Sequence, residues 1–266
     1  EDKTIIKVGE GADVDLTVKD SNLTTGGHGI DIGVNLDDKD DNKGAKVDLT
    51  LDNTQINLTQ NGKAGINVQD NSDVKLTLKG DDNLIDGSKA IEKEKENILK
   101  KNVNVEGIRV GDGGASDGSG TSAGANTKLT ISGGVEKTET AETDTEETES
   151  PAGGSLTISK TTGGLAMADG SHVEITDGAD VTIEDTKTSG ATQAGRAVTQ
   201  HGDLTISGGS SLTIDGVEDN NAPHTGIGIA SWDDITVEDG STLDISNTET
   251  GIYGHQGSDA SLTVVD

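Results

Sequence analysis

The stretch Asp203-Leu204-Thr205-Ile206-Ser207-Gly208-Gly209-Ser210-Ser211-Leu212-Thr213-Ile214-Asp215 holds two short segments in which Leu and Ile alternate with polar residues, joined by a Ser/Gly turn. Alternation at period two is the pattern of a strand with one face in an apolar interior and the other in water. Neither segment can bury its apolar face alone. Each needs copies of itself, and the chain supplies them.

The copies fall into three sets that cycle in order. The first is a glycine followed by two apolar residues around a variable one: Gly29-Ile30-Asp31-Ile32, Gly65-Ile66-Asn67-Val68, Gly107-Ile108-Arg109-Val110, Gly164-Leu165-Ala166-Met167, Gly226-Ile227-Gly228-Ile229 and Gly251-Ile252-Tyr253, with a looser version at Gly195–Val198. The second alternates around a threonine: Leu49-Thr50-Leu51, Leu76-Thr77-Leu78, Leu129-Thr130-Ile131, Leu204-Thr205-Ile206 and Ile235-Thr236-Val237. The third follows a short turn: Leu16-Thr17-Val18, Leu156-Thr157-Ile158, Val181-Thr182-Ile183, Leu212-Thr213-Ile214 and Leu243-Asp244-Ile245.

Successive motif glycines lie 36, 42, 57, 31, 31 and 25 residues apart. The three long intervals shrink to 26–28 residues once inserts at 37–44, 86–101, 113–126 and 136–151 are set aside. A unit of that size holds three strands and three turns. The prediction is a single all-β domain over residues 1–266: a right-handed, three-sided parallel β-helix of about seven coils, since parallel crossovers are almost always right-handed. Leu16, Val18, Leu76, Leu129, Ile131, Leu204, Ile206, Leu212, Ile214 and Ile235 should point inward.

Composition agrees. Hydrophobic residues are 29% and aromatics 1%, with no Phe, as suits a narrow core of Leu, Ile, Val and Ala. The formal charge of −29 repels phosphate backbones and anionic headgroups, which argues against nucleic acid and simple membrane-surface binding. No apolar run is long enough to span a bilayer. There is no Cys, so disulfides and thiolate metal sites are excluded.

The inserts differ in character. Asp86–Lys101 reads as a short helix with Ser88 as its cap and Ile91, Ile98 and Leu99 on an apolar face. Glu136–Pro151 carries an acid at nearly every second position and reads as a mobile acidic loop, dispensable for stability. Gly113–Ala125 reads as a flexible loop. The last strand, Leu262-Thr263-Val264, has no amphipathic cap after it. The expectation is a polypeptide that continues past Asp266 into further coils or domains, with end-to-end contacts between isolated fragments.

Candidate chemistry is sparse. Gly120-Thr121-Ser122-Ala123-Gly124 matches the nucleophile-elbow pattern but lies in a glycine-rich loop, without the strand–turn–helix that such a serine requires. His28, His172, His201, His224 and His255 have no zinc-ligand spacing and read as solvated turn residues. Asp38, Asp40 and Asn42 offer alternate oxygens for a weak calcium site, although Lys43 and Leu49 stand where a calcium hand needs Gly and Glu. Thr50, Thr77, Thr130, Thr205 and Thr236 read as one outward column in which threonine is simply a good strand residue. Arg109 and Arg196 fall some three coils apart, and no acid column recurs on one strand face, so the sequence shows no catalytic residue; a carboxylate pair across adjacent coils stays open. Trp232 and Tyr253 are the tentative glycan-contacting residues, at different offsets from their glycines.

The repeats Gly-Ile-x-Val, Asp-Leu-Thr-Ile-Ser-Gly-Gly-Ser and Ser-Leu-Thr-Ile-Asp resemble those of pectate-lyase-like β-helices in large exported bacterial surface proteins, both adhesins and modules labelled carbohydrate-binding. The resemblance covers nearly the whole chain and is one of architecture. It implies an extracellular, surface-displayed, non-enzymatic module whose loops contact host or cell-surface glycan or protein. The alternative it leaves is a polysaccharide-binding or polysaccharide-degrading β-helix, a lyase or glycosidase.

Overall fold

The computed structural model describes residues 3–36, 43–94, 103–111, 126–134, 153–187, 195–216, 225–258 and 260–265. Their strands form three parallel sheets, the sides of one solenoid. Side A stacks Ile6–Gly9, Ile30–Val34, Lys63–Val68, Val105–Val110, Gly163–Met167, Gly195–Gln200, Thr225–Ser231 and Thr250–Gly254. Side B stacks Asp13–Lys19, Lys46–Asp52, Asp73–Lys79, Lys128–Ser132, His172–Thr176, Asp203–Ile206, Ile235–Val237 and Leu262–Val264. Side C stacks Asn22–Thr25, Gln55–Leu58, Asn83–Asp86, Ser155–Ser159, Asp180–Glu184, Ser211–Asp215 and Thr242–Ser246. The chain visits A, B and C in turn, which gives seven full coils and two strands of an eighth. At roughly 4.8 Å per coil the eight strands of side A span about 34 Å. The right-handed sense is the one the crossover rule gives.

The core is a set of aligned aliphatic columns. On side B, Leu16, Leu49, Leu76, Ile131, Ile175, Ile206, Val237 and Val264 stand one above another. Nine of the ten predicted inward residues are buried, and the tenth, Leu16, is half-buried against the core. Ladder bonds tie every coil to the next, and like side chains in register fill the interior without aromatics.

The glycines that announce the repeat have a packing reason. A Cβ built on Gly107 would lie 2.3 Å from Ile158 Cγ2 on side C and 2.5 Å from the carbonyl oxygen of Gly164 in the next coil. The corner where side C meets side A therefore has no room for a side chain. Between sides B and C the constraint is conformational. Asp20 and Asn53, with φ of 45° and 49°, hold left-handed turns, and Gly80 does so at 70°. Asp, Asn and Gly tolerate that region best.

Several sequence expectations need correction. Leu16-Thr17-Val18 belongs to side B, and the first three strands of side C (Asn22–Thr25, Gln55–Leu58 and Asn83–Asp86) lack the Leu-Thr-Ile pattern that marks the later ones. The threonine column is two columns. Thr77 lies opposite Ser132 while Thr130 lies opposite Lys75, so the register steps by two residues across the insert between them. In the last coils the motif position is held by Ala197 and Gly228, because Leu165, Val198, Ile229 and Ile252 are the residues in register. Arg109 and Arg196 are two coils apart, with Gly163–Met167 the single strand between theirs.

The helix is present as α1 (Ser88–Glu94), seated by buried Ala90 and half-buried Ile91. Asp86 caps it: its carboxylate accepts the Ser88 backbone N–H at 3.1 Å and the Ser88 hydroxyl at 2.5 Å. The cap is thus the acid two residues upstream of Ser88. Ile98, Leu99, Gly113–Ala125, Glu136–Pro151 and the Gly120–Gly124 motif lie outside the described residues.

Candidate functional site

Chemistry-bearing side chains gather where side A turns into side B over the last three coils. His201, Trp232 and His255 each follow a side-A strand directly, and their backbone N–H groups donate to Met167, Gln200 and Ser231 of the coil before. That shared position stacks the rings. His201 and Trp232 have centroids 4.0 Å apart at 17°, and Trp232 and His255 lie 4.8 Å apart at 21°. The Arg196 guanidinium carbon sits 5.7 Å from the Trp232 ring centroid, within cation–π range. Both faces of Trp232 are therefore covered by imidazoles, which leaves no open face on which a sugar ring could stack. Tyr253 is 44% exposed and stands in a different column, opposite Ala230.

The turn below the ladder carries acids. Oxygens of Asp203, Asp233 and Asp234 come within 4.8 Å of one another, bringing one coil's carboxylate against two from the next. Asp234 is held by the backbone N–H and the hydroxyl of Ser261, at 3.0 and 2.7 Å. Burial pushes the Asp233 carboxyl above the usual carboxylate range; the Asp234 backbone N–H opposes this, and the Asp203, Asp234 and Asp169 charges add to it. His172 Nδ1 lies 4.0 Å from Asp203 Oδ2, one coil earlier. Such a group can attract a hard cation or share a proton. Asp38, Asp40 and Asn42 lie outside the described residues.

The second charged group on side A is Glu106 with Arg109. Glu106 is fully buried on the sheet, and its carboxylate accepts the Arg109 Nε–H in an ion pair. Two coils earlier on the same side, Asp31 is buried and accepts Asn67 Nδ2 at 2.7 Å and Gln69 Nε2 at 2.9 Å. The guanidinium offsets the Glu106 charge, and the two amides supply hydrogen bonds to Asp31 in place of water.

Two of the histidines are not solvated. His28 is 8% exposed and its Nδ1 accepts the Ala64 N–H at 3.1 Å, which assigns its ring proton to Nε2. His201 is equally buried, and its Nε2 has no hydrogen-bond partner among the described residues. His172 and His255 are more open, and His224 lies outside the described residues. The ladder is hard to see in the sequence because Gly226 and Gly228 each precede an isoleucine, and only Ile229 is in register with Val198 and Ile252. Counted from Ala197, Gly228 and Gly251, the three rings all stand four residues on.

Burial lowers the His201 pKa below its ordinary 6.5, Asp169 opposes this, and Arg196 and His255 add to the lowering. A base whose folded pKa is depressed contributes stability that is full above about pH 6.5 and is lost as pH falls through the lower folded value. Melting temperature should therefore fall between pH 7 and 5, and His201→Phe, which keeps the stack but takes no proton, should flatten that fall. Asp233, its pKa raised, works the other way: the cost of ionising it is relieved as pH falls through its folded value. An unchanged pH slope in His201→Phe would show that the buried imidazole does not govern this window.

Calcium should change stability little. A cation bound only by the folded chain would raise the melting temperature with concentration, and melts with calcium and with chelator are expected to coincide. A rise abolished by Asp233→Asn would assign a site to the three carboxylates; one abolished by Asp40→Asn would assign it to residues 38–42.

Comparison of the chain with protein-family models, curated proteins and solved structures gives no match.

Proposed function

We propose that the chain is a non-enzymatic module of an extracellular surface protein, an elongated rod that carries its inserts as adhesive or glycan- and host-contacting elements. The supporting observation is the unbroken ladder. Neighbouring described strands on all three sides pair in parallel, with register shifts only at Val8/Gly9 and Gly195/Arg196, and the strands on either side of each insert keep their places in the stack. A scaffold of this kind tolerates variable loops because the core columns do not depend on them. The covered faces of Trp232 weigh against a sugar platform there and move the contact role toward Tyr253 and the inserts. Among the described residues no helix is long and apolar enough to cross a membrane.

A second reading, polysaccharide cleavage, is favoured by one observation: the carboxylates of Asp203, Asp233 and Asp234 close to one another across adjacent coils. Glycoside hydrolysis uses such pairs, one carboxyl protonated and one ionised. The two readings separate on one experiment. The chain is screened against immobilised glycans and host-cell surfaces, and the same glycans in solution are assayed for new reducing ends and for unsaturated products. Binding without product supports the surface module. Product formation that disappears in Asp233→Asn would replace it with the enzyme.

A further inference from the structure

The outer face of side B over its first four strands is open and electrically neutral. Asp13–Lys19, Lys46–Asp52, Asp73–Lys79 and Lys128–Ser132 turn five aspartates and five lysines outward, and all of these but Asp52 are exposed. The chain as a whole carries −29, and the seven strands of side C hold five acids and no Lys or Arg. Repulsion between two copies is therefore weakest across this part of side B.

The signs are ordered as well. Register places Asp13, Lys46, Asp73 and Lys128 in one column and Lys19, Asp52 and Lys79 in another, so charge alternates from coil to coil. Between them run Asp15, Asp48, Lys75 and Thr130, and a hydroxyl column of Thr17, Thr50, Thr77 and Ser132. Lys19 Nζ reaches Asp52 Oδ2 at 2.8 Å within the face. Among the described residues Lys46, Asp48, Asp73 and Lys75 form no ion pair.

Alternation over an even number of strands makes the face complementary to itself. Consider a two-fold axis in the face, running along the strands between Lys46–Asp52 and Asp73–Lys79. It lays each column of one copy on the same column of another, with the coil order reversed. Lys46 then meets Asp73, Asp48 meets Lys75, Asp52 meets Lys79 and Asp13 meets Lys128. Thr50 meets Thr77 and Asp15 meets Thr130, so no like charges oppose each other. An axis along the rod would instead set Asp48 and Lys75 on threonines. It would also bring the later coils, with Glu174, Asp203 and Asp234 outward, alongside their own copies. The reversed arrangement points those coils away from each other.

We propose that this face docks a second copy of the chain, antiparallel and face to face, in a closed two-fold dimer. The contact is isologous, so assembly stops at two. Four strands of up to seven residues cover about 20 Å by 20 Å, roughly 800 Å² counted on both copies, the size of a weak, reversible association. Neither end of the rod takes part.

The test uses the full 266-residue chain. Salt is held at about 0.15 M, where screening beyond roughly 8 Å weakens repulsion between the acidic rods and leaves contact pairs in force. Sedimentation equilibrium should show a reversible monomer–dimer equilibrium and no larger species. Asp48→Lys opposes two lysines and Lys75→Asp opposes two aspartates, so each alone should weaken dimerisation about tenfold or more. Their equimolar mixture should recover the parent's affinity, because each copy supplies the charge that the other lacks. Asp52→Lys with Lys79→Asp repeats the test in a second column, and circular dichroism verifies that every variant folds. Asp180→Lys on side C changes the charge equally outside the contact and should not weaken the dimer. A parent chain that stays monomeric at millimolar concentration overturns the proposal. So does dimerisation that survives the single reversals, a mixture that stays monomeric, or growth past the dimer.

Discussion

Valine at position 107 is expected to destabilise the protein by about 3 kcal/mol or more, which is roughly 6–12 °C in melting temperature for a chain of this size. A side chain there meets Ile158 Cγ2 at 2.3 Å and the Gly164 carbonyl oxygen at 2.5 Å. Ile158 could change rotamer; the Gly164 carbonyl belongs to the ladder and cannot move without opening the next coil. The same substitution at Gly251 should be nearly silent, within about 0.5 kcal/mol. Gly251 holds the same motif position, but its built Cβ has only Ile245 Cγ2 nearby, at 4.0 Å. Thermal melts of the two variants make the comparison. Equal losses would mean that the glycines serve chain conformation and that close approach between coils is not the constraint.

Aspartate at position 131 should be more damaging. Ile131 is 1% exposed, with Leu76 below it and Ile175 above it in the column. A carboxylate there would have no cation within an aliphatic core, and leaving such a charge uncompensated costs about 3–5 kcal/mol or forces the group to take up a proton. Chemical denaturation should show a midpoint reduced accordingly, with partial recovery at low pH where the group is neutral. Thr130→Asp, one residue away but facing outward and half-buried, should change little. A similar loss in both variants would contradict the assigned inward face.

The fold was legible because its physics is local and repeated. Leu204-Thr205-Ile206 states its inward face by alternation, and Gly107 states the close corner by lacking a side chain. Positions that depend on exact register were harder to read. Thr77 and Thr130 each follow a leucine and precede another aliphatic residue yet stand in different columns, since the insert between them does not end at a whole number of repeats. Gly226 and Gly228 both fit the motif, and only pairing of Ile229 with Ile252 chooses between them. That two-residue difference concealed the His201–Trp232–His255 ladder. The Asp203, Asp233 and Asp234 group was less accessible still. Its members belong to different coils and meet only because a turn of one coil lies over the turn of the next. The solvated reading of His28 and His201 failed for a related reason: turn glycines beside a histidine do not show that another coil covers the ring.

The register itself can be measured directly, because the chain contains no cysteine. Lys75→Cys with Thr130→Cys places two thiols on opposed residues of adjacent side-B strands, one before and one after the insert. Residues so paired have Cα atoms within disulfide reach, whereas a diagonal pair two residues off lies at about 7–8 Å, beyond it. Under mild oxidation the Lys75/Thr130 pair should cross-link rapidly and quantitatively as monomer, and the Thr77/Thr130 pair should not. Rapid closure of Thr77/Thr130 in preference to Lys75/Thr130, or of neither, would contradict the stacked register on which the three-sided helix rests.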